Sequence, residues 1–302
     1  MSDIIYIENI NDLDIWIEGL THRHPLIEII NFSQAIISIP DQKVRIKSGL
    51  YTIMYKKHHI GDSFYGNEKL DFKESSVLCM RPEQVISFHS ESMQIRPEGY
   101  MVFFHPELIK RHPLDQKIYD YTFFDYEVNE ALFLSSKERE ILVSVINKID
   151  QELNANIDDF TEDLIVSHLG LLLNYLKRFY TRQFITRKNE NLHVVIRFES
   201  FLLCYIQSGR LKRDGIPSVS YCAEQMNYSD HYLSDLLKKE TGKTTHEHIF
   251  YQVFEKAKSL LLGSDMTINE IAYELGFDYP HYFSRLFKKK IGVNPSIYRK
   301  KG

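Results

Sequence analysis

Toward its C-terminal end the chain carries one helical pattern twice. In TINEIAYELGFDYPHYFSRLFKKKIGVNPSIY (residues 267–298), Ile268, Ile271, Ala272 and Leu275 recur at helical spacing and mark a single apolar face. Thr267 with Glu270 forms a capping box, hydroxyl and carboxylate each satisfying an orphan amide. Gly276 supplies the left-handed residue that ends the helix, Pro280 opens a second helix, and Gly292 closes it. The segment SVSYCAEQMNYSDHYLSDLLKKETGK (residues 218–243) repeats this. Val219, Ala223, Met226 and Tyr228 match Ile268, Ala272, Leu275 and Phe277. Beyond a turn one residue shorter, Leu233, Leu236 and Gly242 match Phe283, Leu286 and Gly292. The turn position holds Asn227 in one copy and Gly276 in the other, the residue types that best tolerate a left-handed backbone. A long helix capped by Thr244 and Glu247, with Ile249, Val253, Phe254, Ala257 and Leu261 on its apolar face, joins the copies. The pattern predicts two helix-turn-helix units, at about 218–242 and 267–292, in an all-α domain over 192–302. Its first helix carries Val195, Phe198, Leu202 and Ile206.

Residues 1–134 read differently. Segments 26–33, 35–39, 43–46, 49–57, 75–80, 84–88 and 99–104 are short and rich in Ile, Val, Tyr and Phe, with Gly, Pro and Asp turns between them. Such a series predicts a sandwich or a small barrel, whose interior is either packed with side chains or open to one small ligand. Two helices follow over 135–185. Ser135 and Glu138 cap the first, which carries Ile141, Val145, Ile149 and Leu153. The second has a coiled-coil-like seam of Ile165, Leu169, Leu172, Leu176 and Phe179, widened by Leu164, Leu171, Leu173 and Tyr175. The seam either meets a second subunit, making 135–185 a dimerisation segment, or is buried within its own domain. Polar residues 186–191 are the expected linker. The fold class is therefore α+β, in two domains.

Composition changes this picture little. The 302 residues are 43% hydrophobic and 26% charged, ordinary for globular chains. No apolar run reaches the roughly 20 residues needed to span a bilayer, and the N-terminus lacks the charged and apolar regions of a signal peptide. Three scattered cysteines, Cys79, Cys204 and Cys222, fit a reducing compartment better than a disulfide frame. The net charge of -4 divides unevenly: 16 basic against 13 acidic residues from Glu190 onward, 21 against 28 before it. A mildly basic helical domain on an acidic partner domain suits a nucleic-acid reader, all the more because Lys238–Lys239 and Lys288–Lys290 are clustered.

The paired motif, IAYELGF…YFSRLFKKKIGVNPSIYR above all, resembles the DNA-binding domain of the AraC/XylS family of bacterial transcription regulators over about residues 192–300. The first half resembles, less specifically, the cupin-like β-barrel sensing and dimerisation domain of many members. The resemblance implies a sequence-specific regulator of double-stranded DNA, often an activator. It implies a homodimer in the cytoplasm, on the nucleoid, that works with RNA polymerase and possesses no cofactor. It names no effector.

A recognition helix enters the major groove with its N-terminal residues toward the base edges. The base-reading candidates are His231, Ser234 and Asp235 in the first unit and His281, Ser284 and Arg285 in the second. Arg285 is the best placed for a bidentate contact to guanine. Lys238, Lys239, Lys288 and Lys289 are the phosphate candidates; exposed lysines ordinarily mark only a solvated face, but both copies place the pair at the same offset. Asp235 stands where the second copy has Arg285. It either accepts from cytosine or holds a structural role.

His22, His24 and Glu28 spell HxHxxxE, similar to the first metal motif of cupins. The second motif is incomplete: Ser87 stands where a histidine is expected, and His89 is displaced along the strand. No metal is therefore expected. His58 and His59, adjacent on any strand, point to opposite faces. No phosphate loop, nucleophile elbow or CxxC is present, so the chain reads as a regulator and not an enzyme. Candidate effector-binding residues are His24, Glu28 and Tyr55. The competing readings are a regulator whose first domain serves only assembly, and a cupin-type metalloenzyme with a helical tail.

Overall fold

The structure, a computed structural model, describes residues 4–15, 17–18, 20–37, 44–57, 63–65, 68–70, 75–88, 98–127, 130–156 and 158–301. They fall into two compact units, Met1–Thr186 and Arg187–Gly302.

The first unit contains strands β1 (Ile4–Ile7), β2 (Ile17–Glu18), β3 (Ile27–Asn31), β4 (Ile36–Ile37), β5 (Val44–Ser48), β6 (Tyr51–Lys56), β7 (Ser63–Tyr65), β8 (Glu68–Leu70), β9 (Ser76–Met80), β10 (Val85–Phe88), β11 (Gly99–Phe104) and β12 (Leu132–Phe133). Five of them form an antiparallel sheet in the order β12-β9-β6-β11-β3, and β1-β5-β10 form a second, smaller sheet. Every segment expected as a strand from its Ile, Val, Tyr and Phe content contributes one. The larger sheet is open, with β12 and β3 at its edges, so among the described residues the strands do not close into the expected barrel.

Strand alternation divides the larger sheet into two faces. Ile30, Met54, Leu78, Met80 and Phe103 lie on one side in a core shared with Ile7, Ile10, Leu13, Ile17 and Leu50, with Ile5 and Ile46 of the smaller sheet packed against it. The described space between the sheets is thus occupied by side chains. The other face carries Ile29, Ile53, Tyr55, Val77, Val102 and Phe104, all buried. Phe104 stacks on Tyr51 at 4.8 Å, and Tyr51 meets Phe124 edge-on at 5.0 Å.

Helices α1 (Leu114–Lys117), α2 (Ser136–Asn154) and α3 (Thr161–Thr186) complete the unit. The Ser135–Glu138 capping box starts α2 as the sequence predicts. Helix α3 also covers the sheet edge at β12. The Gln183 side chain donates to the Ala131 carbonyl (3.1 Å) and accepts from the Phe133 amide (2.8 Å), giving an edge strand the partners it otherwise lacks. This placement decides the α3 seam. Ile165, Leu169, Leu172, Leu176 and Phe179 are all buried within their own unit, where α3 packs along α2. They are core residues of this unit, the second of the two readings given above; the exposed large apolar positions on α3 are Leu164 (44% exposed), Leu171 (41%) and Ile185 (55%).

The second unit is all helix: α4 (Lys188–Gln207), α5 (Arg210–Asp214), α6 (Val219–Met226), α7 (Asp230–Thr241), α8 (Thr245–Gly263), α9 (Ile268–Glu274), α10 (Pro280–Ile291) and α11 (Pro295–Lys301). Residues 186–191, read as a linker, include the last residue of α3 and the first turn of α4. Phe198, Leu202, Ala223, Met226, Leu233 and Leu237 form the core around α6 and α7. Around α9 and α10 the core is aromatic: Phe283 contacts Phe277 at 5.3 Å and Phe287 at 5.6 Å, and Phe287 meets Phe254 of α8 and Tyr298 of α11 edge-on. Arg299 locks α11 down by donating to the Leu261 and Met266 carbonyls at 3.1 and 2.6 Å.

Candidate nucleic-acid interface

The two copies match at the level of single hydrogen bonds. After α6 the Tyr228 amide donates to the Ala223 carbonyl, and after α9 the Phe277 amide donates to that of Ala272, both at 3.0 Å. Asn227 (φ 59°) and Gly276 (φ 80°) occupy the left-handed position that this closure requires. Ala223 and Ala272 are wholly buried, small enough for the two helices of each unit to approach. At the far ends of α7 and α10 the Gly242 and Gly292 amides donate to the carbonyls of Lys238 and Lys288, both at 2.9 Å. The equivalence of these lysines is therefore structural as well as sequential.

The starts of the second helices differ. Ser229 caps α7, its hydroxyl accepting from the Tyr232 amide at 3.2 Å. Helix α10 has no side-chain cap and begins instead with Pro280, whose missing amide proton needs none.

On α7, Tyr232, Leu233, Leu236 and Leu237 are buried, and His231, Lys238 and Lys239 are exposed. Ser234 faces inward toward the next helix, its hydroxyl accepting from the Thr245 amide at 3.4 Å. Asp235 is half-buried. On α10, Phe283 and Phe287 are buried, and His281, Arg285, Lys288 and Lys289 share the exposed side, with Ser284 half-buried beside them. Arg285, Lys288 and Lys289 make no ion pair with the described residues. The Arg285 guanidinium lies over the Tyr282 ring, 5.3 Å from its centroid, which holds the fork extended along the helix surface.

The repeat pairs Tyr282 with Tyr232, but their burial differs. Tyr282 is 41% exposed where Tyr232 is 4% exposed. Tyr232 stacks on Tyr228 (5.2 Å, 19°), whereas Tyr282 meets only the edge of Phe277 (6.2 Å, 60°). Tyr279 is also exposed and touches His281 at 5.7 Å. The second unit therefore presents aromatic groups that helical periodicity alone does not mark as exposed.

The remaining candidates lie in the first unit and do not converge. Glu28 is buried on β3, on the face opposite to that of Tyr55, since Glu28 is in register with Phe103 and Tyr55 with Tyr100. The His24 ring accepts from the Leu26 amide at 3.1 Å, and burial holds its pKa below the ordinary value against the pull of Glu162. His22 and Glu28 do meet (3.1 Å), but the other His22 nitrogen is 3.1 Å from Asp14, and Arg23 bridges Glu28 to Asp150. Both imidazole nitrogens are engaged by carboxylates, and among the described residues no group of His, Cys, Asp and Glu is arranged to hold a metal. The side chains of Ser87, Phe64 and Tyr65, and residues His58, His59 and His89, lie outside what is described.

Among the described residues no helix is long and apolar enough to cross a membrane. Residues 222–301 match the family described as a helix-turn-helix domain. The chain is 23% identical over 261 residues to an uncharacterized HTH-type transcriptional regulator, YfiF, of Bacillus subtilis, covering 84% of this chain and 77% of that protein. It is 39% identical over 67 residues to the xylose operon regulatory protein of Escherichia coli, a stretch of 22% of this chain and 17% of that one. Among solved structures, the C-terminal domain of AraT, a response regulator from Geobacillus stearothermophilus, is 33% identical over 36% of this chain and 85% of its own, with a TM-score of 0.32.

Proposed function

We propose that this chain, which belongs to the AraC family of DNA-binding transcription regulators, acts as a transcription activator that sets α7 and α10 into successive major grooves of one operator. The observation that carries this reading is the duplicated unit with matched turn and end bonds, whose second copy presents Arg285, Lys288 and Lys289 unpaired on one exposed side. Two such helices in one chain suit grooves about 34 Å apart on one side of the duplex. Arg285 reads a guanine, with His281 and Ser284 at neighbouring bases; the lysines of both copies hold phosphates. His231 and Asp235 read bases from the first unit, the more weakly because a carboxylate is repelled by the phosphate backbone. With Ser234 engaged by Thr245, its role is to fix α7 on α8.

The first unit is read as a cupin-like sensing and dimerisation domain. Its two facing sheets and the helices α2 and α3 support that comparison. Homodimerisation through Leu164 and Leu171 would give a long, bipartite site on the nucleoid in the cytoplasm, beside RNA polymerase. The test is selection of operator sequences by the purified protein, followed by gel shifts over a salt series. A specific site whose affinity falls steeply with salt supports the reading. Equal affinity for all sequences, or no binding at low salt, overturns it.

A further inference from the structure

Between α2 and the helix-facing side of the larger sheet lies a cavity of about 580 Å³, within the range of small-ligand sites. Asn31, Tyr55, Tyr100, Arg139 and Val143 are among the residues that line it. Tyr55 is 2% exposed, and among the described residues its hydroxyl makes no well-formed hydrogen bond. The Ser75 hydroxyl beside it donates to the Lys57 carbonyl at 3.1 Å. A buried, unsatisfied hydroxyl costs on the order of 1–3 kcal/mol, which an acceptor on a bound ligand would recover.

The other polar groups sort by whether they are engaged. The Asn31 side-chain oxygen accepts from both the amide and the hydroxyl of Ser33, at 3.0 and 2.8 Å, which leaves its NH2 group as a donor to the cavity. The Lys57 ammonium is held by Glu98. Arg139 is half-buried and forms no ion pair among the described residues, while the nearby Glu138 is taken by Arg182. Burial raises the Tyr55 pKa, so the hydroxyl keeps its proton and is a donor, although Ser75 and then Arg139 act in the opposite sense. Tyr55, Asn31 and Arg139 thus each present a donor to the cavity, which Glu140, Ser144 and Asn147 also line. Tyr100, Val143 and the Tyr55 ring supply the apolar wall.

We propose that this cavity binds a small organic carboxylate, with Arg139 and the Tyr55 hydroxyl on the carboxylate and Tyr100 and Val143 against its apolar body, and that this is the effector site of the regulator. Of the described groups lining the cavity, Arg139 carries the positive charge that no ion pair takes up, which favours an anion over a neutral, hydroxyl-rich ligand. A phosphate carries a second charge that a single free guanidinium does not match, with Glu98 and Glu140 at the rim. A monocarboxylate fits the guanidinium fork and needs only donors. The space between the two sheets does not compete for this role, since Met54, Met80 and Phe103 fill its described part. The effector role rests on the function proposed above; the binding itself does not.

The experiment is titration calorimetry of the full chain with phenylacetate and hexanoate, and with phenylacetamide and hexanamide as uncharged counterparts. Saturable binding of at least one carboxylate is expected, at least tenfold weaker for its amide. Arg139→Gln should weaken it tenfold or more and Tyr55→Phe several-fold. Tyr55→Phe removes only a hydroxyl without a well-formed hydrogen bond and should leave the fold intact, which circular dichroism checks. If neither carboxylate binds, or if both variants bind as the wild type does, the proposal is wrong. Gel shifts with and without added carboxylate separate this from the function itself: without it Arg139→Gln should bind DNA as the wild type does, and a wild type that binds no DNA under either condition refutes the regulator reading instead.

Discussion

The Leu211 carbonyl oxygen lies so close to Gly276 that a Cβ on this glycine would stand 2.4 Å from it. Leu211 belongs to α5, which precedes the first helix-turn-helix unit, and Gly276 is the turn of the second. The Lys212–Glu274 ion pair (3.0 Å) lies beside this contact. The two units are therefore joined by a backbone contact as well as by α8.

This gives Gly276 two reasons to be glycine, whereas Gly292 has one. Nothing lies within 4 Å of a Cβ built at Gly292. Gly276→Ala should destabilise the helical unit by roughly 2–5 kcal/mol, a left-handed cost of about 1–2 plus that of displacing packed backbone. Gly292→Ala should cost only about 1–2 kcal/mol. Hydrogen exchange in peptides spanning residues 268–291, followed through a urea titration, separates them; equal losses would show that the Leu211 contact is slack.

Arg285→Ala should weaken specific DNA binding by about 1–3 kcal/mol and relax preference at one base pair. Lys288→Ala should weaken binding to all sequences alike and lower the salt slope by about 1. Tyr282→Ala removes the ring beneath Arg285 and should cost about 0.5–1 kcal/mol. Competition gel shifts with single-base operator variants distinguish the three patterns.

His248 makes the helical unit sensitive to acid. The Thr241 hydroxyl donates to the Leu237 carbonyl (2.7 Å), so the His248 Nε2 at 2.7 Å must be the donor to Thr241. Burial lowers the pKa of this imidazole, and Glu199 only partly opposes that. The unfolded chain titrates near the ordinary value of about 6.5. Between that value and the lower folded one the unfolded state binds more protons, so stability rises with pH and is lost as pH falls below about 6.5. His248→Gln should flatten this dependence between pH 7.5 and 5.5, read from urea midpoints; an unchanged slope would assign the effect elsewhere.

Arg182 should be the costliest surface arginine of the first unit to lose. It donates to both Glu138 oxygens (2.9 and 2.8 Å) and to the Phe133 carbonyl (2.7 Å), joining α3 to β12 and to the cap of α2. Arg182→Ala should cost about 1.5–3 kcal/mol. Burial raises the Glu138 pKa, but the Ser135 amide and Arg182 outweigh it and the net shift is downward. That contribution is present above the ordinary carboxylate value of about 4.3 and is lost as pH falls through the folded value. Arg182→Ala should therefore lose less stability on acidification than the wild type, measured by thermal melts from pH 6 to 3.

If α3 carries the dimer contact, Leu164→Glu with Leu171→Glu should yield a folded monomer in analytical ultracentrifugation. Ile165→Glu should instead unfold the first unit, since that side chain is fully buried. A double variant that remains dimeric would move the interface off this helix.

The residue order determined by itself everything that acts within one or two turns. The capping boxes at Ser135, Thr244 and Thr267, the left-handed residues Asn227 and Gly276, and the repeat with its paired lysines depend on neighbours up to about five positions away, and all were legible. Only the tertiary structure decided which stripe of α3 is inside, that Tyr282 is exposed while Tyr232 is buried, that Ser234 serves α8, and that the larger sheet stays open. It alone set Gly276 against Leu211 and left the Tyr55 hydroxyl without a well-formed hydrogen bond among the described residues, at the cavity that Arg139 also lines. The physical reason is range. Caps and turns are closed by hydrogen bonds to nearby backbone, whereas burial and pairing depend on partners tens of residues away, whose approach only the packed chain fixes.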